Sequence, residues 1–185
     1  MVPNMEVKKF NIPGVLLLKP KVFKDERGYF YESFNQQKFN ELTESPITFV
    51  QDNQSMSQKN TLRGLHFQAP PFDQGKLVRV VKGAVVDLIV DIRKKSATYG
   101  QALMVDLKAD QHEVLWVPAG CAHGFYTLEE DTIFQYKCTN FYHKESEGAI
   151  LWSDPAFPFA AAFKNPILSA KDEIALHFNQ LKSPF

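Results

Sequence analysis

The chain has 185 residues, 44% of them hydrophobic, and its 21 Lys and Arg residues balance its 21 Asp and Glu residues. This length and this apolar content suit one domain with a real core, so we expect residues 1–185 to form a single domain. The zero formal net charge excludes an extended basic surface, so neither nucleic acid nor an anionic membrane is an expected partner.

The sequence contains no recognisable targeting signal or membrane span. Residues 15–18 (VLLL) are apolar, but the run is too short for a signal peptide and lies between Pro13 and Pro20. The two cysteines, Cys121 and Cys138, belong to no paired CxxC motif, which favours two buried free thiols in reducing surroundings. We therefore expect a cytoplasmic protein.

The chain begins with a segment, Met1 to Asn4, that we expect to be disordered or an extra start. Residues 35–44 (NQQKFNELTE) carry a helix signal. The runs KLVRVV (76–81) and AVVDLIVDIR (84–93) have the β-branched composition of strands, and Lys82-Gly83 between them resembles a short hairpin turn.

Three further strand-like runs follow, ALMVDL, EVLWVP and TIFQYKCTNFY, each bounded by Gly, Pro or charged residues. Helix signals return only from Ser169, so residues 166–185 are expected to form a helical tail that packs on the β-structure. The pattern predicts a mainly β fold, an antiparallel β-sandwich or jelly roll with short N- and C-terminal helices.

Alternation along these strands places several polar residues on shared faces, because residues two apart point to the same side of a strand. If those faces point inward, they line one polar pocket, and burying them is costly unless they bond one another or a ligand. If they point outward, they are merely solvated. The residues concerned are Gln51, Asn53, His66, Lys76 and Tyr136.

Each of these residues also has an ordinary structural interpretation. His66 can be a hydrogen-bonded core histidine, a metal ligand or a base; Lys76 can be an edge lysine that prevents aggregation; and Tyr136 can be a core tyrosine. A metal site is disfavoured, because no two of the five histidines are two residues apart. Arg63 lies three residues before His66, so both can share a face only if the strand bulges, and Gly64 is the expected place.

The stretch SAKD (169–172) is open to two interpretations. Ser169 and Asp172 fit a capping box at the start of a helix, in which the carboxylate reaches back to the serine N–H. Alternatively, the carboxylate leaves the cap and serves a site elsewhere.

Eight motifs occur in an order that resembles one family: FKDERGYFYESF, QDNQSMS, LRGLHFQAPP, QGKLVRVVKGAVVDLIVDIR, SATYG, VPAGCAHGF, YKCTNFY and LSAKD. Between residues 10 and 172 the chain is similar to the dTDP-4-dehydrorhamnose 3,5-epimerases. The resemblance implies a cupin-type jelly roll, a homodimer and a reaction without metal or cofactor. It implies dTDP-4-dehydro-6-deoxyglucose as the substrate, on the route to dTDP-L-rhamnose.

The resemblance also implies roles for individual residues. His66 is the expected general base, Tyr136 the general acid, Asp172 the carboxylate that orients His66, and Lys76 the cation beside the ketone. Tyr142 falls on the position that stacks on thymine. The other expected substrate-binding residues are Arg27, Glu32, Gln51, Asp52, Asn53, Arg63, His123, Glu147 and Lys171.

This chemistry suits these residue types. A C4 ketone acidifies the protons on C3 and C5, so a histidine can form an enolate, a lysine can stabilise its oxygen, and an acid on the opposite face completes inversion. Two alternatives stay open: an epimerase that inverts a single carbon of another deoxysugar, and a sugar-nucleotide-binding cupin without activity. The chain departs from the family at Cys121, usually phenylalanine, and at FPFAAAFKNP (157–166), which usually carries a tryptophan.

Overall fold

The computed structural model describes residues 5–185, which contain thirteen strands. The prediction for Met1 to Asn4 lies outside the described residues. The strands, in chain order, are β1 (Met5–Lys9), β2 (Leu16–Pro20), β3 (Phe23–Asp25), β4 (Gly28–Phe30), β5 (Gln51–Ser57), β6 (Leu62–Gln68), β7 (Lys76–Lys82), β8 (Ala84–Asp91), β9 (Ala102–Lys108), β10 (Val114–Val117), β11 (Cys121–Thr127), β12 (Thr132–Cys138) and β13 (Glu147–Ala149).

Two antiparallel sheets face each other and form a sandwich. The six-stranded sheet has the order β1-β2-β10-β7-β12-β5, and the five-stranded sheet has the order β13-β6-β11-β8-β9. Strands β3 and β4 form a separate hairpin. The predicted mainly β, antiparallel sandwich is confirmed.

Alternation along the strands divides the apolar residues among three clusters. Inward-facing residues of both sheets, such as Val78, Ile89 and Phe134, form the core between the sheets. The outer face of the five-stranded sheet is covered by Trp152 and other residues of the C-terminal segment. The outer face of the six-stranded sheet is covered by Phe39 of helix α1 (Gln36–Thr43). The sandwich is therefore covered on both outer faces, and its interior can open only at an end.

The hairpin predicted at Lys82-Gly83 is wrong. β7 pairs with β10 and β12, whereas β8 pairs with β9 and β11 in the other sheet. Gly83 has φ +83° and packs against Thr132, and the chain turns there from one sheet to the facing one. Because both strands carry apolar residues on one face, placing them in facing sheets buries both sets in the same core.

Helix α1 matches the predicted segment, with Asn35 as its N-cap and Glu44 as its C-cap. The C-terminal tail is less helical than expected. It contains only α3 (Ala170–Glu173) and a single 3₁₀ turn, Phe178–Gln180, while α2 (Phe159–Ala162) lies before it and was not predicted. Among residues 5–185, no helix has the length and apolar character needed to cross a membrane.

Candidate active site

One end of the sandwich opens into a cleft of about 810 Å³, a volume typical of small-molecule sites. Its walls come from both sheets, and the segment that leads into α3 forms part of its rim. Eight residues predicted to act in catalysis or binding line this cleft: Asn53, Arg63, His66, Lys76, His123, Tyr136, Lys171 and Asp172.

A bulge in β6 brings Arg63 and His66 to the same side. His66 pairs with His123 of β11, and Arg63 pairs with Phe125, so three steps along β6 match two steps along β11. Gly64 lies at the bulge with φ +121°, and a side chain there would strike the β11 backbone. The predicted bulge at Gly64 is confirmed, and both side chains line the cleft.

His66 and Asp172, here called the outer pair, meet at the rim of the cleft. The His66 Nε2 atom lies 2.6 Å from Asp172 Oδ1, and the two side chains are 27% and 4% exposed. Burial alone would raise the pKa of Asp172, but the hydrogen bond and the charge of His66 hold that pKa below its usual range. The imidazole is thus accessible to a ligand while its carboxylate partner is not.

Only half of the capping box predicted for SAKD forms. Ser169 is the N-cap of α3, and its Oγ accepts a hydrogen bond from the Asp172 backbone N–H at 3.3 Å. The Asp172 carboxylate does not close the box on the Ser169 backbone N–H, and its oxygens contact His66 and the Gly64 N–H instead. The cap therefore positions a carboxylate that serves the cleft.

Lys76 and Tyr136 face the outer pair from the opposite sheet. They lie on neighbouring strands β7 and β12, and Lys76 Nζ is 5.8 Å from the centre of the Tyr136 ring. Burial lowers the pKa of Lys76 and raises the pKa of Tyr136. At a given pH, the neutral form of Lys76 is therefore more populated than it would be in water. Tyr136 retains its proton to a higher pH than a tyrosine in water.

His123 and Asp87 are here called the inner pair; His123 lines the cleft, and Asp87 is buried behind it. The His123 Nε2 atom is 2.9 Å from each Asp87 carboxylate oxygen, and the two side chains are 6% and 0% exposed. Sequence reasoning missed Asp87. The available signal was an aspartate between Val85 and Ile89, on the inward face of an apolar strand.

A polar network extends from Lys171 along the rim. Lys171 Nζ donates to Glu147, which also accepts from the Tyr142 hydroxyl at 3.1 Å. Gln51 accepts from the Tyr142 backbone N–H at 3.0 Å and donates to Asn53 at 3.1 Å. Tyr142 is exposed and Gln51 and Glu147 are partly buried, so these three predicted residues adjoin the cleft without lining it.

Three predicted residues lie away from the cleft of their own chain. Arg27 is on the β3–β4 hairpin, Glu32 follows that hairpin, and Asp52 points outward from β5. Each pairs with a nearby charged side chain: Arg27 with Asp25, Glu32 with Lys38, and Asp52 with Lys137.

Neither of the two departures from the family's pattern lines the cleft. Cys121 is buried in the core between the sheets, where burial raises its thiol pKa to about 12. The aromatic residues of 157–166 pack in the outer cluster on the five-stranded sheet. Both cysteines are buried and free, as predicted. Within the described residues, no group of three or more His, Cys, Asp or Glu side chains is arranged to hold a metal ion.

Comparison with known proteins decides the family. The family model described as dTDP-4-dehydrorhamnose 3,5-epimerase matches residues 9–180. The chain belongs to this family. It is 56% identical over 172 residues to the dTDP-4-dehydrorhamnose 3,5-epimerase of Salmonella typhimurium, covering 92% of this chain and 94% of that protein. The chain is accordingly an epimerase of the isomerase class.

Two crystal structures extend the comparison to the whole fold. The dTDP-4-dehydrorhamnose 3,5-epimerase of Elizabethkingia anophelis superposes with a TM-score of 0.91 at 42% identity, covering 97% of this chain and 99% of that one. The 3,5-epimerase of Legionella pneumophila in complex with dTDP-4-keto-L-rhamnose also gives 0.91, at 43% identity, covering 96% and 94%. The expected cupin-type fold is confirmed.

Proposed function

We propose that the chain converts dTDP-4-dehydro-6-deoxy-D-glucose into dTDP-4-dehydro-L-rhamnose by inverting C3 and C5, in dTDP-L-rhamnose biosynthesis in the cytoplasm. The observation that carries this proposal is the outer pair, a histidine supported by a buried carboxylate, facing Lys76 and Tyr136 across one cleft. The reaction consists of proton transfers alone, so it needs no cofactor.

The base and the acid come from opposite walls. His66 lies on the five-stranded sheet and Tyr136 on the six-stranded sheet. Facing sheets are separated by about 10 Å, which leaves room for a sugar ring between the two side chains. In the proposed mechanism His66 removes the proton from one face of the ring and Tyr136 returns a proton to the other, which inverts the carbon.

Lys76 stabilises the enolate in this mechanism. Removing a proton beside the C4 ketone places negative charge on its oxygen, and a fixed cation in a water-poor cleft stabilises that charge strongly. Asp172 holds the His66 ring in place and orients it, as the carboxylate does in a hydrolase triad.

The remaining predicted residues, in and around the cleft, suit the nucleotide. Arg63 and Lys171 provide cations for the diphosphate at the cleft, and Tyr142, with its exposed ring, is positioned to stack on the thymine. The further proposed substrate contacts come from Glu32, Gln51, Asp52, Asn53, His123 and Glu147.

We also propose a homodimer in which Arg27 serves the partner's cleft. The Arg27 side chain is 85% exposed and, within residues 5–185, pairs only with Asp25 on its own hairpin. The same hairpin exposes Phe23 and Phe30, large apolar side chains that a second copy of the chain would cover.

Mixing two inactive variants tests the dimer directly. Arg27→Ala and His66→Ala protomers, unfolded and refolded together, should recover about a quarter of wild-type activity, because half of the dimers regain one complete site. If Arg27 acts in its own chain, or if the chain is a fully active monomer in sedimentation, no recovery occurs and the proposal fails.

The reaction is tested by following the product stereochemistry by NMR after incubation with dTDP-4-dehydro-6-deoxy-D-glucose. We expect inversion at both C3 and C5, and loss of both with His66→Ala. Inversion at one carbon would support the single-carbon epimerase, and an unchanged substrate would support the binding protein.

A further inference from the structure

The inner pair is a second histidine–aspartate pair beside the first. His123 lies directly opposite His66 in the register of β11 and β6, so the two imidazoles are cross-strand neighbours. Each imidazole is backed by its own buried carboxylate, Asp172 for His66 and Asp87 for His123. The proposed reaction uses only His66 as a base. The role of the second pair, His123 with Asp87, therefore needs its own explanation.

Burying the Asp87 carboxylate costs folding free energy. It is fully buried on the inward face of β8, between the core residues Val85 and Ile89. Within residues 5–185, the His123 ring is its one hydrogen-bond partner. Burial raises the pKa of Asp87, while His123 and Lys76 favour its charged form. An apolar residue would stabilise this core position at least as well, so fold stability does not account for the carboxylate.

The geometry constrains the His123 ring. A carboxylate accepts hydrogen bonds, so the His123 Nε2 atom between the two Asp87 oxygens must carry a proton. The other nitrogen, Nδ1, is then the one available to a ligand in the cleft that His123 lines. Asp87 also lies close enough to Lys76 to favour the charged lysine.

We propose that Asp87 is a positioning residue that orients His123, with its Nδ1 atom towards the sugar as a hydrogen-bond acceptor, and that its charge keeps Lys76 a donor to the C4 oxygen of the sugar. This inference rests on the proposed function. Deprotonation of C3 or C5 moves the electron pair onto that oxygen, and reprotonation returns it, so both steps use the same donor.

Several titratable groups surround Lys76 and His123. Those around Lys76 are Cys138 on β12, Glu147 on β13, Asp87 on β8 and Lys171 on α3, and those around His123 are Asp87 and His66. Of the groups that contact His123 or influence Lys76, Asp87 is the one fully buried carboxylate. Neutralising it removes support from both residues together.

The test is Asp87→Asn, which preserves the shape and removes the charge. We expect kcat to fall about 10- to 100-fold, with KM changed less, because Lys76 acts mainly on the enolate. The alkaline limb of the kcat–pH profile should move down by about one pH unit, since Lys76 loses a favourable charge. An unchanged kcat and an unmoved limb would overturn the inference.

Asp91→Asn is the matched control. Asp91 lies four residues along the same strand and is equally buried, but it accepts from Arg93, Ser96 and Thr98 and is not part of the cleft. These hydrogen bonds hold its pKa at about 2 despite burial. We expect a lower melting temperature and the wild-type pH profile. If the alkaline limb of the kcat–pH profile moved equally in Asp87→Asn and Asp91→Asn, Asp87 would act only through folding.

A second measurement needs no variant. Nitrogen NMR of ligand-free, labelled wild-type protein should show neutral His123 with its proton on Nε2 and none on Nδ1. The opposite tautomer would overturn the inference even if the chain is a fully active epimerase. Conversely, an inactive chain with the expected tautomer would contradict the proposed function and leave the orientation by Asp87 supported.

Discussion

The outer and inner pairs join the same two residue types in different surroundings. His66 of the outer pair is 27% exposed, whereas His123 of the inner pair is 6% exposed. Burial would raise the pKa of both carboxylates. The contact with His66 outweighs burial and holds the pKa of Asp172 below its usual range, whereas the pKa of Asp87 remains raised. A base must reach its substrate and exchange protons, and the outer pair suits that role. A buried pair suits a fixed arrangement of charge.

This contrast shows that the pairing of residue types does not define a role. A third pair, His177 with Asp154, has a 2.9 Å contact but lies outside the cleft. Its Asp154 carboxylate also accepts from the Ala156 and Phe178 backbone N–H groups, which fixes the tail in place. The three pairs differ in two respects: whether the histidine reaches the cleft, and which other groups the carboxylate accepts hydrogen bonds from.

The largest expected effect is that of Asp172→Asn on the outer pair. The substitution keeps the shape but replaces the charged hydrogen-bond partner of His66 with a neutral amide, and it can stabilise the wrong tautomer. We expect kcat to fall by about two orders of magnitude or more. The melting temperature should change little, because the Ser169 cap uses the Asp172 backbone and not its side chain. Turnover and thermal melting are measured on the same sample.

Asp154→Asn provides the control for that prediction. It breaks a histidine–aspartate pair that is not part of the cleft, so it should lower the melting temperature and leave turnover per folded molecule unchanged. A destabilised Asp172→Asn protein with normal turnover would instead make the outer pair structural, like the third pair.

Tyr136→Phe should separate the two half-reactions. His66 can still remove the proton, but no acid on the opposite sheet returns one, so epimerisation should fall about 100-fold while solvent exchange falls much less. Both rates are read from one NMR time course in heavy water. If exchange and epimerisation fell together to the level of His66→Ala, the division of roles between the two sheets would be wrong.

The fall of kcat at alkaline pH should reflect the loss of the Lys76 proton. Burial lowers the pKa of Lys76 and raises that of Tyr136, so the lysine loses its proton at a lower pH than it would in water. Because the charged lysine stabilises the enolate, kcat should begin to fall below the ordinary range of a lysine, approaching tenfold per pH unit. Lys76→Gln should lower kcat and abolish this limb. A limb that persists in Lys76→Gln would assign it to another group.

The smallest expected effect is that of Ser169→Ala. It removes the N-cap of α3 and should cost about 1 kcal/mol of unfolding free energy. Because the Asp172 carboxylate keeps its contact with His66, kcat should fall less than about threefold. A kcat loss as large as that of Asp172→Asn would show that the cap, and not the charge, governs the outer pair.

The sequence was most informative where a feature depends on neighbouring residues. Helix α1 and the bulge at Gly64 follow from local composition and backbone freedom, and both were predicted. The turn at Gly83 was misread, because the choice between a hairpin and a corner depends on which strands β7 and β8 meet elsewhere. The inner pair joins residues 36 positions apart, so Asp87 could be recognised only as an unexplained charge in an apolar strand.

The central claim is that one cleft removes and returns protons at two carbons of a 4-keto sugar. Incubation with dTDP-4-dehydro-6-deoxy-D-glucose in heavy water, followed by NMR, tests it most directly. We predict deuterium at both C3 and C5 with the wild-type chain, and at neither with His66→Ala. Deuterium at a single carbon would contradict double epimerisation, and its absence from both would contradict the assignment of His66 as the base.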